Sequence, residues 1–249
     1  MIDTGGKGDE RHIYKHHSIA KFKSLPSLKK KGISTIDYLI ISQPHADHMG
    51  ELLYLFETLN IKTIILNSDK FTTSILMQIK SQSSEKHIKL MDVKQISQLN
   101  VDDAQLKFFH TYINNSDDKN EQSIIILIQC KNRNILLMGD ATVNNEQKLI
   151  NNYQLPKIDI LKVGHHGSRA NSSKEFIKVI KPTISLISSG KNNKYRLHIY
   201  DVIDRLKTYG SKVFDTQNNG ELKINLNENS FKVYRYILNQ ETLAREVTQ

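Results

Sequence analysis

The chain of 249 residues has little cysteine or proline and no long apolar segment. Its one cysteine, Cys130, excludes an internal disulfide, and its place in the apolar run SIIILIQC indicates a small buried hydrophobic residue. The longest apolar runs are under ten residues, whereas a bilayer span needs roughly twenty, and no secretory signal opens the chain. By itself we therefore expect it to be soluble and cytoplasmic.

Linker-like segments are also missing. Four prolines and eleven glycines are spread along the chain, and no repeat recurs at a fixed period. The length fits one large domain or two small ones. Because nothing indicates a boundary, we expect a single domain over residues 1–249.

Basic residues outnumber acidic ones, which gives a net charge of +9 and a pI near 9.4. An excess of this sign favours a polyanionic partner such as nucleic acid or an anionic membrane surface. Much of it lies in short runs such as Lys29-Lys30-Lys31, which are usually solvated faces, so charge alone leaves the partner open.

Short apolar runs rich in isoleucine and valine, each followed by a polar or glycine-containing turn, predict strands buried on both faces. These runs cover residues 36–41, 61–66, 123–130, 134–138, 158–163 and 183–187. Between several of them, apolar residues recur at helical spacing, over residues 48–58, 172–180 and 201–209.

The stretch 212–238 has a different pattern, with turn residues at Asn219-Gly220 and near Asn227 to Asn229. Asn and Gly tolerate positive φ, so both turns predict antiparallel hairpins. Helix-separated buried strands followed by hairpins indicate an α/β fold in which two mixed sheets pack together with helices outside.

Four polar segments that follow apolar runs are rich in metal-ligand chemistry, and such loops carry function in α/β folds. They are MIDTGG with Asp3, SQPHADHMGE with His45, Asp47 and His48, ILLMGDAT with Asp140, and DILKVGHHGSRANSS with His165 and His166.

Each segment also has a structural interpretation. Asp140 is equally consistent with a cap for the next helix, and Asp3 with a turn-former beside two glycines. In the second segment, three ligand-type residues lie on a tight strand-to-helix turn, and in the fourth, flanking glycines allow close approach of the backbone. For these two segments we favour metal binding.

Taken in order, the motifs IDTGG, SQPHADHMGEL, ILLMGDA, ILKVGHHGS, SGKNNKY and VFDTQNNGELKI resemble the metallo-β-lactamase fold, and within it the C-terminal hydrolase domain of ComEC-type competence proteins. The resemblance covers nearly the whole chain. It implies an αββα sandwich that binds one or two divalent ions, zinc or manganese, at one end.

The resemblance also implies ligands. His45 would bind a first ion, Asp47 and His48 a second, and Asp140 both. One histidine of the His165-His166 pair would complete the second site, with His166 slightly preferred, although the residues alone do not separate the two. Asp3 resembles the aspartate that braces the histidine loop. Asp47 and Asp140 are the candidate catalytic residues.

Three departures from the family pattern bear on activity. Gln43 stands where a first histidine is expected, and its amide oxygen is a poor zinc ligand beside imidazole. In the segment NKYRLH, Leu197 occupies the expected histidine position and His198 follows it. The chain begins at the aspartate motif without the usual first β-hairpin, as a fragment of a larger competence membrane protein would.

A bound divalent ion lowers the pKa of a coordinated water molecule to about 7. Two such ions side by side can hold the oxygens of a phosphate group, so a phosphodiester is the natural substrate. Candidate phosphate or substrate contacts are Lys162, Ser168, Arg169, Asn192, Tyr195 and His198. Each is equally consistent with an exposed polar residue.

The first hypothesis is a metal-dependent nuclease or phosphodiesterase that acts on DNA during uptake in transformation, with activity in doubt because of Gln43. The alternative is a catalytically impaired domain that binds DNA or supports a transport channel. A hydrolase of small phosphoesters or lactones is a third possibility, since one fold hosts many substrates.

The expected partners are single- or double-stranded DNA and the membrane channel portion of the same competence protein, with no soluble partner. As a domain of such a protein, the chain would lie at the outer face of the cell membrane.

Overall fold

The computed structural model describes residues 1–6, 18–190, 199–237 and 240–248. The chain divides into two compact units. Residues 1–97 and 114–124 form the first unit, and residues 98–113 and 125–249 form the second. The expected single domain over residues 1–249 stays a prediction.

The first unit contains a parallel sheet of three strands in the order β1-β2-β3. The strands are β1 (Thr35–Ile41), β2 (Asn60–Leu66) and β3 (Lys89–Asp92). An isolated bridge pairs Ile2 with Ile40 of β1, so the N-terminal residues run beside the first strand. The sequence had predicted mixed sheets, but all pairings among these three strands are parallel.

Helices of the first unit connect and cover these strands. They are a π-helical turn (Ala20–Ser24), α1 (Leu25–Lys30), α2 (Ala46–Met49), α3 (Leu52–Thr58) and α4 (Thr73–Glu85), with 3₁₀ turns at Ser68–Lys70, Val93–Gln95 and Lys119–Gln122. The core joins apolar residues of β1 and β2 to those of the helices, such as Leu39, Ile64 and Leu55. The helix predicted over residues 48–58 is interrupted at Gly50 and Glu51.

The second unit contains a seven-stranded mixed sheet in the order β10-β9-β8-β7-β6-β5-β4. The strands are β4 (Gln98–Val101), β5 (Ala104–Phe109), β6 (Ile125–Cys130), β7 (Arg133–Leu137), β8 (Ile160–Lys162), β9 (Ile184–Ile187) and β10 (Lys212–Asp215). Pairing is antiparallel from β4 to β7 and parallel from β7 to β10.

Helices and a second sheet complete this unit. The helices are α5 (Val143–Asn152), α6 (Lys174–Ile180), α7 (Ile199–Thr208) and α8 (Thr216–Asn219), with a 3₁₀ segment at Gly164–Gly167. The strands β11 (Glu221–Leu226), β12 (Ser230–Ile237) and β13 (Gln240–Thr248) form an antiparallel sheet. Phe231 and Val233 of β12 pack with Ile160, Ile184 and Phe214 in one apolar cluster.

The six predicted strands are present, with ends shifted by up to two residues. The turn near Asn227 to Asn229 is confirmed as the β11–β12 hairpin. The hairpin predicted at Asn219-Gly220 is wrong. Residues 212–215 pair in parallel with β9, and α8 and Gly220 lead the chain from that sheet into a separate one.

Cys130 was expected to be buried, but it is half-buried at the end of β6. Desolvation raises the pKa of its thiol above the usual value.

The longest described helix, α4, has 13 residues, and none of the described helices is an apolar segment of membrane-spanning length.

Candidate functional site

The segment after β1, which we call the His48 turn (residues 42–50), places an aspartate and a histidine in one short helix of the first unit. β1 ends its buried run at Ile41, and His45 is the N-cap residue of α2 with extended backbone (φ −92°, ψ 152°). Its carbonyl oxygen accepts hydrogen bonds from the amides of His48 and Met49, each at 2.9 Å. The strand-to-helix turn is therefore built by the backbone of His45.

Asp3, which resembles the aspartate that braces the histidine loop of the family, lies against the imidazole of His48. Its Oδ2 lies 2.8 Å from His48 Nδ1, and its Oδ1 accepts from the amide of Ser42 at 2.7 Å. Because a carboxylate only accepts, the contact holds the ring proton on Nδ1 and the lone pair on Nε2. That nitrogen lies 3.6 Å from Oδ2 of Asp47, whose side chain is 49% exposed.

The N-terminal residues also hold the backbone of this turn. The amide of Thr4 donates to the carbonyl of His48 at 2.7 Å. A Cβ added at Gly6 would overlap the carbonyl oxygen of Ala46 and lie 2.8 Å from Cα of Gly50. The sequence suggested that the glycines of IDTGG provide a bend, whereas Gly6 is needed for close contact between two backbone segments.

Gln43, for which the resemblance leads us to expect a histidine, is buried in the first unit and is 1% exposed. Its Oε1 accepts from the hydroxyl of Ser123 at 3.1 Å, and the amide of Ile124 donates to the carbonyl of Ser42 at 2.9 Å. Gln43 thus joins the His48 turn to residues 123–124. The imidazole of His45 is half-buried, and its role as a ligand of a first ion stays a prediction.

In the second unit, Asp140 follows β7 at a turn where Gly139 has positive φ (55°). Asp140 is 2% exposed, so its carboxylate lies in the interior rather than at an exposed helix cap. The helix cap is supplied by Thr142 and Asn145, which form a capping box at the start of α5. The amide of His165 donates to the carbonyl of Gly139 at 3.0 Å, which joins this turn to the next one.

The next turn, the His166 turn (residues 164–167), follows β8. His165 and His166 both have left-handed backbone, with φ of 45° and 53°. Two consecutive non-glycine residues in this region are strained, and such strain concentrates at functional sites. Gly167 also has positive φ (80°), and a Cβ there would lie 2.9 Å from Cγ1 of Ile199.

The structure distinguishes the two adjacent histidines, which the sequence did not. His166 Nδ1 lies 2.8 Å from the carbonyl oxygen of Ser188, just beyond β9. Since a carbonyl only accepts, the ring proton is on Nδ1 and the lone pair on Nε2. His166 Nε2 then lies 3.8 Å from Oδ2 of Asp140. His166 is therefore the histidine that shares a turn-to-turn contact with the buried aspartate.

Three residues that the sequence analysis did not single out hold the loop after this turn. Glu146, 1% exposed, accepts from the amides of Ser172 and Ser173 at 2.5 and 2.8 Å. Asn171 donates to the carbonyl of Ala141, and Arg205 donates to the carbonyls of residues 171 and 172. A Glu in the first turn of a helix, with serines 26 and 27 residues later, carries no local sequence signal of this contact.

Burial raises the pKa of Glu146 above its usual value of 4.5, and the donors at Ser173 and Ser172 and the charge of Arg205 act in the opposite direction. Desolvation disfavours the ionised form because the carboxylate has left water.

The remaining predicted contacts lie in several places. Lys162 donates from Nζ to the carbonyl of Val163 at 3.1 Å, and Ser168 is buried beside the His166 turn. Arg169 is 70% exposed, with Nε 3.4 Å from Oδ2 of Asp201. Asn192, Tyr195, Leu197 and His198 lie outside the described residues.

Comparison with known proteins identifies a matching family model. The family model described as the metallo-β-lactamase superfamily matches residues 1–191, which include both turns.

Three curated relatives are similar over most of the chain. ComE operon protein 3 of Bacillus subtilis is 28% identical over 228 residues, covering 90% of this chain and 29% of that protein. Recombination protein 2 of Haemophilus influenzae is 28% identical and covers 94% and 28%, respectively. Competence protein ComA of Neisseria gonorrhoeae is 23% identical and covers 85% and 28%. The chain thus spans less than a third of each of these relatives.

Among solved structures, the metallo-β-lactamase fold protein YhfI from Bacillus subtilis matches with a TM-score of 0.52. The identity is 13%, and the match covers 80% of this chain and 81% of that chain. At this identity the similarity concerns the fold alone.

Proposed function

Because the chain belongs to the metallo-β-lactamase superfamily, we propose that it is a metal-dependent hydrolase that cleaves phosphodiester bonds of DNA. The observation that most supports this proposal is that two imidazoles make the same kinds of contact through Nδ1 and Nε2. His48 and His166 each have Nδ1 within 2.8 Å of an oxygen and Nε2 within 4 Å of a carboxylate.

The donor set fits a divalent ion. Asp47, His48, Asp140 and His166 offer two imidazole nitrogens and two carboxylates, which suit zinc and manganese alike. We propose that these residues are the ligands of a divalent ion. When bound, the ion would act as a Lewis acid and lower the pKa of a water molecule to about 7.

The protein side chains would have separate tasks. Asp3 and the carbonyl of Ser188 orient the two rings and keep their protons on Nδ1. Attack of water on a phosphodiester forms one P–O bond, breaks another and releases a proton. Asp47 is suited to accept that proton because its carboxylate is half exposed, whereas buried Asp140 is suited to hold a fixed position.

The choice of DNA as substrate is supported by the names of the relatives and by the charge of +9. One relative is named a competence protein and another a recombination protein. Basic charge favours association with phosphates. Since the chain spans less than a third of these relatives, we propose that it acts as a domain of a membrane protein of DNA uptake, attached to its channel at the outer face of the cell membrane.

Gln43 supports a second candidate function. Its amide is buried and accepts from Ser123, so it makes a structural contact where the family pattern has a ligand. We propose that any first-ion site with His45 is weak, which makes the enzyme mononuclear or loosely binuclear. If no ion binds at all, the domain would bind DNA or support the channel without cleaving.

Metal analysis tests the ion site. The purified chain, equilibrated with Mn²⁺ or Zn²⁺ and desalted, should retain about one ion, as measured by inductively coupled plasma mass spectrometry. His166→Ala should lose it, whereas His110→Ala, at an exposed histidine outside both turns, should not. Gln43→His should increase the bound metal if the first site is only weakened.

A cleavage assay tests the reaction. Labelled single- and double-stranded DNA should be degraded with added Mn²⁺ or Zn²⁺, and Asp140→Asn should abolish the activity. Intact DNA with both wild type and Gln43→His, together with well under one ion per chain, would exclude the enzyme and favour the non-cleaving alternative.

A further inference from the structure

A basic surface of the first unit lies outside both turns. Five lysines occur within eleven residues, at positions 21, 23, 29, 30 and 31, and no acidic residue occurs between positions 18 and 36. All five are exposed, on and just beyond the π-helical turn and α1. We call residues 21–33 the lysine face.

Ion pairs within the described part of the first unit do not neutralise the lysine face. Among the residues that the structure describes, no carboxylate forms an ion pair with any of these five lysines. The next acidic residue along the chain, Asp37, lies 2.6 Å from Lys62 and is already paired. A cluster of like charges of this kind attracts a polyanion.

An aromatic ring lies within the lysine face. Phe22 is 58% exposed, and Nζ of Lys21 lies 5.5 Å from the centre of its ring. An exposed ring flanked by lysines is the combination by which proteins bind single strands, because every unpaired base can stack on it while cations contact phosphates.

The apolar side of the π-helical turn and α1 packs into the core of the first unit. Ala20 and Leu25 are buried in the core of the first unit, and Leu28 packs against that core. An amphipathic helix that lies on a membrane needs its apolar side free for insertion. This observation favours a nucleic acid over an anionic lipid surface as the partner.

Residues just before the lysine face are hydrogen-bonded to Glu51, which directly follows the His48 turn. Glu51, 7% exposed and three residues beyond His48, accepts from the hydroxyl of Ser18 at 2.6 Å and from the amide of Ile19 at 2.7 Å. The amide of Lys21 in turn donates to the hydroxyl of Ser18 at 2.9 Å. The start of the lysine face is thereby held at a fixed position relative to Asp47 and His48.

We propose that the lysine face binds the phosphate backbone of single-stranded DNA, with Phe22 stacking on an unpaired base. This inference rests on the proposed function in that the bound strand would be the substrate or a product of the same domain. It assigns a binding surface that is separate from the metal ligands.

Binding without cleavage tests the inference. The full chain is titrated into a labelled single-stranded oligonucleotide in EDTA, and fluorescence anisotropy is measured at several salt concentrations. The variant Lys29→Gln/Lys30→Gln/Lys31→Gln should lower the slope of log affinity against log salt by about two, since each phosphate contact on a single strand contributes about 0.7. Phe22→Ala should weaken binding about tenfold.

A matched control removes three exposed lysines elsewhere in the first unit, Lys80→Gln/Lys86→Gln/Lys89→Gln. It changes the net charge equally and should retain the wild-type slope. Thermal melts of all variants show whether each is folded, and Phe22→Ala gives a second readout that does not alter charge.

Four outcomes would overturn the inference: no binding by wild type, equal losses in both lysine triples, unchanged binding by Phe22→Ala, or lysine-dependent binding to phosphatidylglycerol vesicles without binding to the oligonucleotide. Because the assay contains no metal, these results are independent of hydrolysis. Loss of cleavage with intact binding would refute the proposed function alone.

Discussion

The His48 turn and the His166 turn both hold an imidazole with its proton on Nδ1, but they do so with different backbone conformations and different partner groups. In the first, ordinary helical backbone presents the ring, and a carboxylate from 45 residues upstream holds Nδ1. In the second, left-handed backbone presents the ring, and a carbonyl beyond the neighbouring strand holds Nδ1. One turn therefore depends on a side chain, and the other on strand register and backbone strain.

Each turn is also secured by a buried glutamate. Glu51 fixes Ser18 and Ile19 near the His48 turn, and Glu146 fixes Ser172 and Ser173 after the His166 turn. In both cases two donors meet one carboxylate, which is the usual way in which a protein satisfies a buried acidic group. Substitutions that remove one kind of support at a time separate the two designs.

The largest effect is expected at Gly6, which supports the His48 turn by backbone contact. Gly6→Ala should lower the free energy of unfolding by more than about 3 kcal/mol, because the new methyl group would overlap backbone atoms of Ala46 that have little freedom to move. Urea denaturation followed by circular dichroism measures the change. Gly32→Ala is the control, since Gly32 has φ of 70° but no atom near a Cβ, and it should lose only about 1 kcal/mol.

At the His166 turn, Gly167→Ala should lower the free energy of unfolding by about 2 kcal/mol more than Gly210→Ala does. Both positions have positive φ, but only at Gly167 would the methyl group meet side chains, those of Ile199 and Ile187. Those side chains can shift, so the loss should be smaller than at Gly6. Equal losses at Gly167 and Gly210 would show that the turn is not tightly packed.

Removing the charge of Asp3 tests the carboxylate support of His48. Asp3→Asn should weaken binding of Zn²⁺ by about tenfold or more, measured by competition with a chelating dye, because an amide no longer fixes the proton on Nδ1. The circular dichroism spectrum should not change. Wild-type affinity in this variant would contradict the proposed role of Asp3 as a positioning residue.

The smallest effect concerns pH and the loop after the His166 turn. Because the pKa of Glu146 is raised in the folded state, its contribution to stability is complete below the unfolded value of 4.5 and is lost as pH rises through the folded pKa. Urea midpoints should therefore fall with pH in wild type relative to Glu146→Gln. Glu175→Gln, at an exposed position on α6, should follow wild type. A wild-type urea midpoint that rises as pH increases from 4.5 would mean that the hydrogen bonds to Glu146 affect its pKa more than desolvation does.

Much of the fold followed from local patterns. The buried strands were evident because isoleucine-rich runs end at polar turns, and the predicted metallo-β-lactamase fold and resemblance to competence proteins are confirmed. The Asn219-Gly220 hairpin was wrong because the dipeptide specifies only positive φ. Whether the flanking strands pair depends on the sheet that β10 joins, and β9 offers it a parallel partner.

The sequence by itself determined which ligand-type residues follow which strands, since motif order and strand periodicity are local properties. Only the tertiary structure decided that Gln43 bonds to Ser123, that Glu146 holds residues 172 and 173, and that His166 rather than His165 faces Asp140. The reason is that an imidazole can carry its proton on either nitrogen. The oxygen that the fold brings to Nδ1 selects the nitrogen whose lone pair stays available.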